Sequence, residues 1–109
     1  MTVLKKGMNI GNIQLDNGIF LAPMAGYTDS PFRRLCAGMG AEWTVSEMIS
    51  AKAVYYGDKK TVTLAQISGG EGYTALQIFG READIMAYSA GKLLSLSKDI
   101  LPAAIDINM

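Results

Sequence analysis

Apolar and polar positions switch repeatedly between a period of two and a period near three and a half, and the predicted elements follow from that switching. Residues 9–15 alternate loosely and run into Asp16-Asn17-Gly18, a turn signal that predicts a small hairpin with Ile19 to Ala22 as its second arm. That second arm is continuously apolar and stops at Pro23, as a strand buried on both faces of a parallel sheet would. A helix follows. Ser30 is placed to cap it, with Pro31 in its first position, where the missing N–H is harmless. Phe32, Leu35, Cys36 and Met39 then fall at i, i+3, i+4 and i+7 and predict its core-facing stripe, with Gly38 and Gly40 closing it. Cys36 on that stripe reads as a small buried hydrophobe, not a nucleophile.

Further on, Trp43-Thr44-Val45 reads as a strand ending in Ser46-Glu47-Met48. Ser50 can cap a helix from Ala51 to Tyr56 that Gly57 stops. Thr61 to Ile67 fits a short helix or a strand, and Ser68-Gly69-Gly70-Glu71-Gly72 reads as a flexible connection. Thr74 to Phe79 is a clear strand ended by Gly80. A long helix from about Glu82 to Leu96 places Ile85, Met86, Ser89, Ala90, Leu93 and Leu94 on one side. Pro102 precedes a last strand, Ala103 to Met109.

Strand-helix alternation predicts parallel pairing through right-handed crossovers. A doubly wound dinucleotide-binding sheet would carry a glycine-rich turn after its first strand, and Ala22-Pro23-Met24-Ala25-Gly26 lacks that spacing. Polar residues gather instead at strand ends: Glu47, Gln77, Asp106 and Asn108. A barrel with its site on the C-terminal face needs that distribution. The expected fold is therefore α/β, a partial TIM (β/α)8-type barrel of about four strand-helix units with a short N-terminal hairpin.

Composition narrows the chemistry. The 109 residues hold ten basic and ten acidic side chains, and half are apolar, as in a globular domain. A free-standing nucleic-acid binder carries a basic excess on one face. Here the basic pairs Lys5-Lys6, Arg33-Arg34 and Lys59-Lys60 are scattered and read as solvated surface. There is no histidine and a single cysteine, so no zinc-ligand cluster is available and no metal is expected. A lone cysteine and the lack of a long apolar run predict a cytoplasmic setting away from the membrane.

Gln77 is the sharpest candidate for a site. A carboxamide within the apolar run Ala75 to Phe79 costs about 1 to 3 kcal/mol to bury unpaired. It must meet a ligand, a neighbouring strand or another inward-facing polar residue. Asp106 and Asn108 share one face of the last strand; for Asp106, solvent or a backbone partner at the strand end is the favoured reading. Glu47 reads first as a hydrogen-bonding residue of the barrel interior.

The run Phe20-Leu21-Ala22-Pro23-Met24-Ala25-Gly26-Tyr27-Thr28-Asp29-Ser30-Pro31-Phe32-Arg33 resembles the signature that opens the barrel of tRNA-dihydrouridine synthases. Ser46-Glu47-Met48, Leu76-Gln77-Ile78-Phe79-Gly80 and Asp106-Ile107-Asn108-Met109 resemble the ends of that family's second, third and fourth strands. The resemblance spans essentially the whole chain. It implies that residues 1–109 are the N-terminal part of an FMN-binding barrel domain, and an enzyme that reduces tRNA uridine to 5,6-dihydrouridine, with NADPH recharging the flavin. It further implies that Pro23, Met24 and Ala25 underlie the isoalloxazine ring, largely through backbone groups. Gln77 would bond the ring's polar edge, and Asn108 would lie near flavin and uracil. The family's general-acid cysteine would fall two positions beyond Met109, so no catalytic residue is assigned within the chain. The rest of the barrel and the helical tRNA-binding domain are likewise expected elsewhere. One departure is Gly80-Arg81-Glu82, which replaces a better helix cap in many relatives. Alone, the chain is expected to be inactive and prone to self-association, as a fragment or a truncated gene product. The competing readings are another flavin barrel acting on a small pyrimidine, and a non-catalytic half barrel that associates with another chain.

Overall fold

The computed structural model describes residues 7–97 and 100–108; Lys5-Lys6 and Met109 lie outside them. Strands β1 (Met8–Ile10) and β2 (Ile13–Leu15) form an antiparallel hairpin. Every pairing in the second sheet is parallel. It contains β3 (Phe20–Leu21), β4 (Trp43–Val45), β5 (Ile49–Ser50), β6 (Tyr73–Phe79) and β7 (Ala104–Asn108). Central β6 has β4 and β5 along one side and β7 along the other, and β3 lies outside β4. The helices are α1 (Ser30–Gly38), α2 (Ala51–Tyr55), α3 (Lys59–Thr63) and α4 (Ala83–Leu96).

Alternation along the strands separates two apolar layers. Leu76 and Ile78 pack with Ile49, Ala51, Val54, Met86 and Leu93 on the helix side. Ala75, Val45 and Trp43 pack with Leu15 on the opposite side, beneath the hairpin. Helices α2 and α4 thus cover one face, and the N-terminal hairpin meets the other. A buried hydroxyl joins the two helices, Ser89 Oγ donating to the Ala51 carbonyl at 2.5 Å.

Three local expectations are corrected. The hairpin turns at Gly11, whose φ of 58° is open to glycine, and not at Asp16-Asn17-Gly18. Residues 19–22 supply β3, which pairs in parallel with β4. The cap of α1 is Asp29, which accepts from the Phe32 N–H at 3.0 Å; Ser30 points elsewhere. The apolar stripe of α1 is also largely uncovered: Leu35 is 61% and Met39 82% exposed, while the buried residue of the helix is Arg33. Other assignments stand. Ser50 caps α2 by accepting from Ala53 N–H at 3.2 Å, and Glu82 gives α4 no side-chain cap; the stretch 61–67, read as a short helix or a strand, is helical only as far as Thr63, in a helix that starts at Lys59.

Candidate functional site

The site is built around an irregularity between β4 and β5. Val45 stands opposite Ala75 and Ile49 opposite Ile78. Four steps on one strand (45 to 49) therefore face three on the other (75 to 78), which is a one-residue bulge at Ser46-Glu47-Met48. It moves Val45 and Ile49 onto opposite faces of the sheet, where an unbroken strand would keep them on one. Ser46 repairs the ladder. Its N–H donates to the Ala75 carbonyl at 3.0 Å and its Oγ accepts from the Gln77 N–H at 3.1 Å.

Each remaining bulge residue reaches a different strand end. The Glu47 carboxylate accepts from the Gly26 N–H at 2.6 Å, holding the loop that follows β3. Met48 meets Asn108 at the end of β7, with Asn108 Nδ2 3.2 Å from its sulfur. The tripeptide joins the loop after β3, the interior of β6 at Ala75 and Gln77, and the end of β7. Of its members, only Glu47 was singled out in sequence, and as an interior residue. A bulge leaves no periodicity signal of its own.

Gln77 and Asn108 share the hairpin face of the sheet with Ala75 and Ala104. Gln77 is 8% exposed, and its Nε2 donates to Asp106 Oδ2 at 2.7 Å across a register pair. Asp106 is exposed, as the solvent reading expected, and its bonded partner is the Gln77 side chain, not backbone. Pro23 is half-buried, while Met24 and Ala25 are exposed at the end of β3. A cavity of 490 Å³ opens beside the ends of β5 and β6; Asn108, Phe79, Met48 and Arg81 are among its walls. Pro23, Met24, Ala25 and Gln77 do not line it. Hydrogen bonds through the bulge, not a shared wall, bring them to the same end of the sheet.

A second cluster lies behind the β3 loop. Arg33 is 1% exposed and donates from Nε to Glu71 Oε1 at 2.5 Å, from Nη1 to the Thr28 carbonyl at 2.7 Å and from Nη2 to the Gln66 carbonyl at 2.9 Å. Glu71 also accepts from Ser30 Oγ, the Ser68 N–H and Thr74 Oγ1. Residues 68–72 are therefore pinned through a buried carboxylate, contrary to a flexible connection. Arg33 is not surface, whereas Arg34, Lys59 and Lys60 are exposed.

The profile described as Dihydrouridine synthase (Dus) matches residues 20–109, from the start of β3 through the last strand. The chain belongs to that family. It is 46% identical over 103 residues to tRNA-dihydrouridine synthase B of Pasteurella multocida, covering 94% of this chain and 30% of that protein. Identity is 43% over 103 residues with the namesake protein of Yersinia pestis and 40% over 102 with that of Vibrio cholerae, again covering 94% of this chain and 30% of each relative. The chain thus spans 30% of the length of these dihydrouridine synthases. No solved structure gives a significant match.

The residues at this end of the sheet suit a flavin in kind. A flat ring with a polar pyrimidine edge needs apolar walls and a few fixed amides. Met24 and Phe79 are part-exposed apolar side chains, at 41% and 39%, and Gln77 and Asn108 supply the carboxamides. Among the described residues there is no cluster of three or more metal-ligating side chains, and no helix is long and apolar enough to cross a membrane.

Proposed function

We propose that this dihydrouridine synthase chain forms the N-terminal part of an FMN-binding barrel, and that the whole enzyme reduces uridine in tRNA to 5,6-dihydrouridine with NADPH. The Ser46-Glu47-Met48 bulge carries the reading, because it ties the loop after β3 to Gln77 of β6 and to the end of β7. Bulges beside barrel rims re-aim side chains in this manner. Family membership and the face beneath the hairpin, where no helix packs among the described residues, support a barrel segment over a doubly wound sheet.

In this reading Gln77, oriented by Asp106, bonds the polar edge of the ring. Pro23, Met24 and Ala25 form its platform, and Asn108 stands where uracil enters. Flavin, when bound, supplies hydride to the pyrimidine. Cys36 sits on α1, away from the strand ends, and is not the proton donor. In this reading the chain alone gives no turnover, and whether its residues suffice to hold the ring is a matter for titration; the tRNA grip and a cytoplasmic setting belong to the whole enzyme.

Two assays on the purified 109-residue chain test this. FMN fluorescence should be quenched on titration with the chain, and tRNA incubated with chain, FMN and NADPH should gain no dihydrouridine. Absence of any FMN binding overturns the site, and turnover overturns the assignment of the proton donor to another segment.

A further inference from the structure

The β3 loop rests on a buried hydrogen-bonded base whose uppermost member is Met24. Both polar groups of the Met24 backbone are engaged inward. Its N–H donates to Thr28 Oγ1 at 3.0 Å. Its carbonyl accepts from the N–H groups of Tyr27 and Thr28, each at 3.0 Å, and from the Thr28 hydroxyl at 3.2 Å. Thr28 is fully buried, and its own carbonyl is held by Arg33 Nη1 at 2.7 Å. Arg33 is in turn fixed by Glu71, itself 1% exposed. A continuous path thus runs from a buried ion pair, through Thr28, to a residue that is 41% exposed at the strand end.

This arrangement changes what Met24 can offer a ligand. With its N–H donated to Thr28 and its carbonyl accepting from several donors, its backbone has little left for a ring. The side chain is what faces outward. A thioether is soft, polarizable and well suited to the face of an aromatic ring. Its usefulness depends on being held, since an unbranched side chain on a loose loop loses entropy when a ligand orders it.

We propose that Thr28, anchored by Arg33, is a positioning residue that locks the Met24 backbone so that the Met24 side chain is presented to the flavin ring. The proposal rests on the flavin-site reading above and adds to it a residue that never touches the ligand. Thr28 serves because a hydroxyl both donates and accepts, closing on the N–H and the carbonyl of one residue at once. Valine has the same shape and can do neither.

The test compares FMN affinity with thermal stability in the 109-residue chain, for wild type, Thr28→Val and Thr28→Ser. Ser89→Ala serves as a control, because it removes a buried hydrogen bond between α2 and α4 away from the loop. Thr28→Val should raise the FMN dissociation constant roughly tenfold, the scale of one unpaired buried donor. Thr28→Ser, which keeps the hydroxyl, should stay within about twofold of wild type. Ser89→Ala should lower the melting temperature and leave FMN affinity unchanged. Wild-type binding matched by Thr28→Val overturns this proposal alone, whereas a wild-type chain that binds no FMN overturns the site reading and this proposal with it. If Thr28→Val does not fold, amide exchange at Met24 in the wild-type chain decides. Protection like that of the β6 core, with and without FMN, supports the lock, and exchange at the unprotected rate overturns it.

Discussion

Arg33 and Arg34 are neighbours with opposite fates, and the difference is invisible to composition. Helix geometry turns one inward and the other to solvent, but which of them meets a counter-charge depends on Glu71, 38 residues away. No spacing rule links a first-turn arginine to a glutamate in a glycine-rich stretch. Gln77 was legible, because a carboxamide inside an apolar strand demands a partner. Asp106 as that partner was not, since it depends on the β6–β7 register. The Arg33–Glu71 pair also supports a prediction. Removing one member of a buried pair leaves an uncompensated charge, so Glu71→Ala should lower unfolding free energy by about 3 to 5 kcal/mol. Arg34→Ala, on the exposed side, should change it by less than about 0.5 kcal/mol. Denaturant titration of the three proteins checks both. Equal, small effects would show that Glu71 does not hold the loop. The double variant Arg33→Met/Glu71→Leu should recover only part of the loss, because Ser30, Ser68 and Thr74 keep donors aimed at the missing carboxylate.

At the scale of elements, what sequence could read was existence and order, and what it missed was partnership. The helices at 51–55 and 83–96 and the long strand at 73–79 follow from caps, stops and periodicity. The N-terminal hairpin did not, because two glycine turns compete. Asn17-Gly18 has the stronger local signal, yet residues 16–18 face a distant carboxylate. The Glu42 side chain accepts from the N–H groups of Asp16 at 2.7 Å and Gly18 at 3.0 Å, and from that of Asn17 between them. These donors, Asp16 foremost, hold the Glu42 carboxyl below the usual carboxylate range. The charged form is therefore favoured by folding. Its contribution is whole above the usual carboxylate range and is lost as pH falls through the lowered folded value. Acidification should release the 16–18 turn at a pH below that at which an ordinary glutamate titrates. Amide shifts of Asp16, Asn17 and Gly18 followed by NMR would report it as one shared step. Glu42→Gln should abolish that step; a step that persists in the variant would assign the acid transition to some other group.

The α1 stripe raises the same question for the whole molecule, since helical periodicity can say that a face is apolar but not that anything covers it. Alternation and crossovers made the parallel sheet legible, whereas the bulge that organises its C-terminal end depends on pairing, which a single chain of letters does not display. Among the described residues β3, β5 and β7 each pair on one side only, and a sheet with free edges is a template for further strands. Apolar side chains accompany those edges: Phe20 on β3 is 42% and Ile107 on β7 55% exposed. Parallel β3 and β7 could join edge to edge between two copies, because every pairing in the sheet already runs in one direction. The 109-residue chain in isolation should therefore self-associate. Its mass by light scattering should rise with concentration and fall little with added salt, since apolar contact is not screened as charge is. Ile107→Lys places a charge in the edge strand, the device natural sheets use against such pairing, and should shift association to higher concentration without disturbing the helix-side core, which Ile107 does not join. A chain that stays monomeric at every concentration, or a lysine variant that associates as strongly as wild type, would show that these edges are not where copies meet.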